Sequence, residues 1–587
     1  MKKHYETYVE DTDKLISVAG PVLDYKSWYE QYRKLMEEQA QRKYGLYTPT
    51  SEGDDDFPSI SGMIARYSAL GLTNEQMTAN PVWKDLTGNG HDLQMKNLAW
   101  KGISGVGGYV GDFSKWVNNR DTTEIGITKS NSKVIIDVKV SQGSGKNIVF
   151  ISKSNLGISN NVTIKITSTY PEGVMKFANS ASNKYLKLPS NGIITLQDNP
   201  EYTSNEMHLH LASADLGQIT IEQLPLYPGA LVFDGVDDYG VCENFPILTK
   251  EKGYTVVALR QYLFNTIDKI RSLVTNAPSS IVSRSTLTFE LIGSNGEKTN
   301  FSFGRGNPVS DFEPNVFSYM TSKSYNGKTI TPGDVTESNK RILVGNFSEN
   351  GKYGSNVAIW ELVFLDHDAT EEELTKIKDY FVKTYPWLFP DQAWTVTGKT
   401  NEDEDRATIA NITGNGNDLV LSNFGFAEGS GYNEEGEYEG YLVTDGVDDK
   451  IVSSVFIMGK DFTIVGDWKF IDNKKSGTGL VKGSSFYIYN TMIGLDLFIN
   501  SGSVKNSLDG IKSINAACSD GRAYDRNWNE ILANTGNVVG SGGMLEVSSS
   551  GGRFDRIAFK NLAIYPRILS KDDCIKAYNY LQTLKAK

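Results

Sequence analysis

The sequence predicts a mainly β chain: two copies of one β-rich unit, the first interrupted by a smaller β-sandwich, behind a short helical N-terminal segment. Three observations predict it. Matching motifs recur in the same order in both halves. The spacing between them is kept except in one connection. Within that connection, short runs alternate apolar and polar residues between Gly, Ser and Asn punctuation.

The first motif pair is Thr87-Gly88-Asn89-Gly90-His91-Asp92-Leu93 and Thr413-Gly414-Asn415-Gly416-Asn417-Asp418-Leu419, sharing T-G-N-G-x-D-L. The second is Asp234-Gly235-Val236-Asp237-Asp238 and Asp445-Gly446-Val447-Asp448-Asp449. The third is an apolar run before a helix start: Val357 to Leu362 then Thr370 to Glu373, and Ile557 to Leu562 then Ser570 to Asp573. Three ordered matches indicate a duplicated unit.

Gly90 to Gly235 spans 145 positions, whereas Gly416 to Gly446 spans 30, so the first copy carries 115 extra residues. A structureless connection of that length is improbable in a compact chain. The insert is placed at 112–226. Lys133 to Val140, Asn147 to Ser152, Val162 to Thr167, Gly192 to Leu196, Met207 to Leu211 and Gln218 to Glu222 read as its strands. Six short strands in that space suggest a small β-sandwich.

Each copy closes on a helix. Thr370 with Glu373 is a capping box, and Ser570 with Asp573 a shorter version of it. Leu374, Ile377, Tyr380 and Phe381 in one helix match Cys574, Ala577, Tyr580 and Leu581 in the other. That spacing makes one apolar face for docking on a sheet. The N-terminus differs. Lys26 to Lys43 can form a helix with Trp28, Tyr32, Leu35, Met36 and Ala40 roughly on one side, followed by a polar linker from Thr48 to Pro58. An isolated helix of this length is marginal, so it needs a partner surface: its own first domain, or other chains. The boundaries are 1–60 for this segment, 61–111 with 227–388 for the first unit, 112–226 for the insert, and 389–587 for the second unit.

The net charge of −12 over 587 residues argues against a general nucleic-acid binder. No run of about 18 apolar residues exists to span a membrane. The N-terminus lacks the apolar core of a secretory signal. Cys242, Cys518 and Cys574 form no metal or disulfide spacing and read as buried free thiols from a reducing cytosol.

W-x-D-x-[ST]-G-N-G at Trp83 to Gly90, then F-D-G-x-x-D-Y at Phe233 to Tyr239, then a strand and a capped helix, resembles the laminin-G-like, concanavalin A-type jelly roll. The resemblance covers about 61–111 and 227–388, and about 389–587. The second copy departs from it at Ile409, Thr444 and Lys450. The family's fold implies two antiparallel sheets, one of them curved. The whole chain also looks like virion structural proteins of Bacteroidales-infecting, crAss-like phages, in which such jelly rolls form fibres and surface decoration. This implies a protein made in the host cytoplasm and carried on the virion exterior. It also implies attachment to other virion proteins through the N-terminal segment, and a homo-oligomer.

Enzymes resembling this fold hydrolyse glycans with an E-x-D-x-x-E string, which is absent; the nearest is Asp366-His-Asp368-Ala-Thr-Glu371. Glu435, Glu437 and Glu439 alternate and would share a strand face, as a solvated edge or a cation site. His208 and His210 lack a nearby third ligand. Catalytic residues and an obligatory cofactor are therefore not assigned. Domains similar to these can bind calcium. Asp85, Asn89, Asp234, Asp237 and Asp238 have the right ligand type, with Asn411, Asn415, Asp445, Asp448 and Asp449 in the second copy. The same residues are also ordinary turn formers, so both readings stand. For a glycan ligand, Trp394, Trp468, Tyr524 and Trp528 are the candidate platforms, against the alternative that they fill the core. Two functions are implied: a non-enzymatic, glycan-adhesive virion protein, or a glycan-active enzyme or bacterial lectin with a carbohydrate-binding insert.

Overall fold

The structure is a computed structural model. It describes residues 56–586 except 119–122, 141–145, 158–161, 179–184, 197–205, 213–215, 264–270, 276–287, 293–297, 302–308, 311–315, 330–337, 339, 347–353, 472–477, 483–485, 491–493, 500–506, 510–513, 533–540, 548 and 551–552. The N-terminal helix expected at Lys26 to Lys43 lies outside the described residues. So does most of its linker. The described sheets and helices all belong to one compact unit, Asp56–Lys587.

The chain is mainly β, with antiparallel sheets paired as sandwiches and few helices. One eight-stranded sheet is centred on Asn356–Leu365. That strand is flanked by Thr255–Tyr262 on one side and by Leu231–Asp234 and Met63–Ser68 on the other. Beyond Thr255–Tyr262 lie Phe317–Thr321, Ser324–Tyr325 and Lys328–Thr329. A second sheet is centred on Ile557–Tyr565, with Thr463–Phe470, Ile514–Cys518, Ala523–Asp525 and Glu530–Leu532 in the same order. Each is faced by another eight-stranded sheet, one running from Val82–Trp83 to Val309–Ser310, the other from Thr408–Ile409 to Ser507–Asp509.

The duplication extends to irregularities. Between Leu259 and Arg260 the pairing with the central strand skips Trp360, and between Asp467 and Trp468 it skips Lys560. These bulges occupy the same place in both copies. A bulge shifts the alternation by one. Accordingly Val357 and Ile359, then Leu362 and Phe364, face the sandwich interior, while Ala358, Trp360, Val363 and Leu365 face outward.

The bulge leaves a polar residue buried in each central strand. Glu361 pairs with Arg66 (Nε to Oε2, 3.0 Å) and accepts from the Tyr385 hydroxyl at 2.9 Å. Burial pushes its carboxyl up, and Arg66 pulls it back. The equivalent Asn561 accepts instead from the Asp467 N–H at 3.0 Å.

Two five-stranded sheets draw every strand from residues 117–223. Val134, Ile136 and Val138 face Ile219 and Ile221 across one strand pair, and both strands alternate buried and half-buried. The chain enters and leaves through adjacent backbone: Leu226 N–H donates to Gly108 at 3.0 Å and Tyr227 N–H to Gly107 at 2.8 Å.

Helices Glu371–Thr384 and Lys571–Gln582 each pack on the outer face of their own sheet. The first begins in a full capping box, with Thr370 N–H donating to Glu373 at 2.9 Å. In the second, Asp573 accepts from the Ser570 hydroxyl at 2.7 Å. Its side chain is one methylene shorter than the Glu of a capping box. One apolar core contains both helix faces and both outer sheet faces: Trp360, Phe381, Tyr385 and Trp387 meet Val465, Tyr565, Tyr578 and Leu581. The Tyr565 hydroxyl donates to the Trp387 carbonyl at 2.9 Å, and Lys576 lies 4.3 Å over the Trp387 ring. The insert joins through Thr163, whose hydroxyl donates to Asn579 Oδ1 at 2.9 Å.

Candidate functional site

The T-G-N-G loop is a closed hydrogen-bond system. Asp85 accepts from Arg66 N–H (3.2 Å), Thr87 N–H (3.0 Å), the Thr87 hydroxyl (2.7 Å) and His91 N–H (3.1 Å). Asn89 donates its amide to the Met63 and Ile64 carbonyls, pinning the loop to the edge strand. These side chains are committed to the turn. Asp85 is absent from the carboxylate clusters among the described residues. The calcium assignment at Asp85 and Asn89 is corrected on this geometry: four donors already occupy the Asp85 carboxylate, and the Asn89 amide points its donors at backbone. In the second copy Asn411 accepts from Ala393 N–H, Thr413 N–H and the Thr413 hydroxyl, and Asn415 donates to the Asp391 carbonyl.

The D-G-V-D-D loop differs. One carboxylate oxygen from each of Asp234, Asp237 and Asp238 lies within 4.8 Å of the others, as do those of Asp445, Asp448 and Asp449. Asp238 is 1% exposed. Its Oδ2 accepts from Asp234 N–H at 2.9 Å, and the Ser104 hydroxyl beside the buried carboxyl pulls its pKa down. In the second copy Asp449 Oδ1 accepts from the Ser430 hydroxyl at 3.1 Å. Burial, with the charges of Asp234 and Asp237, raises the Asp238 carboxyl to about 7. Burial raises Asp449 to about 6. Three clustered carboxylates suit a hard divalent cation.

The four proposed glycan platforms are corrected. Trp394 and Trp528 are fully buried, Tyr524 is 1% and Trp468 3% exposed. Trp394 and Trp468 fill the second sandwich, and Tyr524 and Trp528 lie in the shared core, with Trp528 edge-on to Tyr578. No ring face is left for a sugar. Glu435 to Glu439 do not alternate on a strand, because Gly436–Tyr438 is a single 3-10 turn. His210 Nδ1 lies 2.9 Å from Asn147 Oδ1, and burial lowers its pKa. All three cysteines are buried free thiols.

The nearest acidic string is structural. Asp368 accepts from Ser322 N–H and its hydroxyl and pairs with Lys323, and His367 bridges Asp366 and Glu373. Of the acids in that string, Glu371 lines a groove of about 590 Å³ between the outer sheet face and the first helix. Half-exposed Phe317 and Tyr319 form one wall and Leu374, Thr375 and Lys378 the other. This groove was missed in the sequence. The available signal was Phe317 and Tyr319 at i and i+2, alternating with buried Ser318 and Met320, which puts both rings on the face opposite the core.

No protein-family model matches the chain. No curated protein matches it. Among solved structures, Trypanosoma rangeli sialidase in complex with sialic acid is similar at 9% identity and a TM-score of 0.24, covering 77% of this chain and 61% of that one. The chain thus spans less than two thirds of that sialidase. A mutant of HCR/D is similar at 10% identity and TM-score 0.23 over 57% and 89% of the two chains. A structure of botulinum neurotoxin type C, whose cell entry is dependent upon interaction with two ganglioside molecules, is similar at 9% identity and TM-score 0.21, over 57% and 87%. At these scores the likeness is one of remote β architecture and carries no function.

Proposed function

We propose that this chain is a non-enzymatic structural protein of a phage particle's exterior, a fibre or surface decoration. Its two concanavalin A-like jelly rolls adhere to host or mucosal glycans. Residues 1–60 attach it to other virion proteins and bring copies of the chain together. The observation that supports binding over hydrolysis is that the carboxylates buried on the strands of the two central sheets are held by neighbouring side chains. Glu361 is held by Arg66 and Tyr385, and Asp467 accepts from the Tyr441 hydroxyl at 2.9 Å. A glycosidase needs two carboxyls facing each other across a cleft, one of them free to move a proton. Calcium belongs to the same proposal. Asp234, Asp237 and Asp238 would hold it in the first copy, Asp445, Asp448 and Asp449 in the second, and it would supply charge that fixes the loop.

Cryo-electron microscopy of purified particles tests the reading. The expected result is density for 61–587 on the exterior, with residues 1–60 at its base. Absence of the chain from particles would sink it and favour the glycan-active enzyme or bacterial lectin.

A further inference from the structure

The groove beside the first helix has an internal reference, because the second copy contains the same place. Strand pairing aligns Thr255 with Thr463, hence Tyr319 with Ala516 and Thr321 with Cys518. The helix starts align Glu371 with Lys571, Leu374 with Cys574, Thr375 with Ile575 and Lys378 with Tyr578. In the second copy this place is closed. Ala516, Cys518, Cys574, Ile575 and Tyr578 are all buried, and Tyr524 and Trp528 fill it from the adjoining hairpin.

In the first copy the filler is gone. The hairpin turns at Asn326-Gly327 instead. Gly327 sits at φ +80°, and a Cβ there would come 3.3 Å from the Tyr319 hydroxyl. Two of the lining positions have become hydrophilic, Thr375 for Ile575 and Lys378 for Tyr578. Two large aromatics remain partly exposed, Phe317 and Tyr319, with ring centroids 6.0 Å apart. Glu371, Thr375 and Lys378 follow one another at i, i+4 and i+7, a single stripe along the groove. Lys378 Nζ lies 5.9 Å from the Phe317 ring. The volume falls within the range of small-ligand sites, roughly 300–1,000 Å³.

We propose that this groove binds a neutral saccharide ring, seated against Phe317 and Tyr319 between the Glu371 carboxylate and the Lys378 ammonium. A pyranose has an apolar C–H face and a rim of hydroxyls. The aromatic wall suits the face, and the helix stripe offers the rim both an acceptor and a donor. An anionic ligand would meet Glu371 and a cationic one Lys378, whereas a neutral polyol uses both. The inference rests on the adhesive reading and locates it on one sandwich only.

The test is saturation-transfer NMR on the full chain with the methyl glycosides of glucose, galactose and mannose and with N-acetylglucosamine. At least one is expected to bind the wild type in the millimolar range. Tyr319→Ala, which installs the residue found at Ala516 and so keeps a side chain the fold already accepts, should weaken binding at least about tenfold. Lys378→Tyr, which installs the counterpart Tyr578, should do the same by filling the groove. Equal binding by wild type and Tyr319→Ala would overturn the groove while leaving adhesion elsewhere on the chain intact. Binding of none of the four sugars also overturns it; an array of host and mucosal polysaccharides probed with the same wild-type chain then decides the adhesive reading separately.

Discussion

Asp85 and Asn411 occupy the same position of the two T-G-N-G loops and hold the same peptide unit in opposite orientations. Asp85 accepts from the N–H of His91; Asn411 donates to the carbonyl of Gly416, the other side of the matching peptide. The backbone agrees: Asn417 takes φ +65°, whereas His91 is not among the positive-φ residues. The loss of a charge in the second copy is thus matched by a turned peptide, while the bonds from the Thr87 and Thr413 N–H and hydroxyl to this position are kept.

Exchanging these residues should be costly in both directions. Asp85→Asn turns a donor toward the His91 N–H, and Asn411→Asp turns an acceptor toward the Gly416 carbonyl and Gln392 Oε1. Each should lower stability by about 1–3 kcal/mol, the cost of a buried polar group left unmatched. Urea denaturation checks this; wild-type stability in Asn411→Asp would refute the peptide pairing.

Arg66 and Glu361 should be strongly coupled. Arg66→Ala leaves a buried carboxyl beside Tyr385 and should cost roughly 3–5 kcal/mol. The second copy has Ala393 and Asn561 in these places. Glu361→Asn added to Arg66→Ala should therefore recover much of the loss. A double-mutant cycle reads the coupling directly, and simple additivity would count against it.

Asp238 should give the stability a signed pH dependence. Its folded pKa of about 7 stands above the unfolded value of about 3.9, so the folded state holds the proton more tightly. The stabilisation is complete below the unfolded pKa and is lost as pH rises through about 7. The Tm difference between wild type and Asp238→Asn should therefore shift against wild type from about pH 4 to pH 8. Calcium at the upper pH should raise the wild-type Tm saturably and leave the variant less affected. A calcium-independent Tm in wild type would remove the cation from the proposal.

Trp528→Ala should cost roughly 3–5 kcal/mol, as expected for a buried aromatic. The same variant should leave any sugar binding by the first sandwich unchanged. Chemical denaturation and the NMR titration read these two effects independently.

Excising 112–224 behind a short Gly-Ser link should leave both larger sandwiches folded, because Gly107 and Gly108 already bond to Tyr227 and Leu226. The loss should appear at Asn579, deprived of Thr163. Circular dichroism and proteolysis would show it; global unfolding of the deletion would mean the insert is a folding requirement.

The duplicated order of strands, the insert and the two helices were legible because they rest on repeated motifs, spacing and periodicity. Thr370 and Glu373 cap a helix wherever they stand. Burial of Trp394, Trp468, Tyr524 and Trp528 was not legible, since an aromatic has the same identity in a core and on a rim. The saturation of Asp85 also escaped the sequence. Its Arg66 donor lies 19 residues away, on a strand that approaches the loop only through tertiary pairing. The groove depends on a comparison of facing elements, Tyr319 with Ala516 and Lys378 with Tyr578, which becomes possible only when strand register is known.

The core shared by the two helices and the two outer sheet faces bears on mechanics. A hinge forms where few contacts cross a boundary, and a large apolar interface forbids it. The segment that links the sandwiches runs through this core at Tyr385, Trp387 and Leu388. Bending there would pull indole and phenol rings into water. A load applied to one sandwich is therefore carried to the other without slack, and the two keep one orientation.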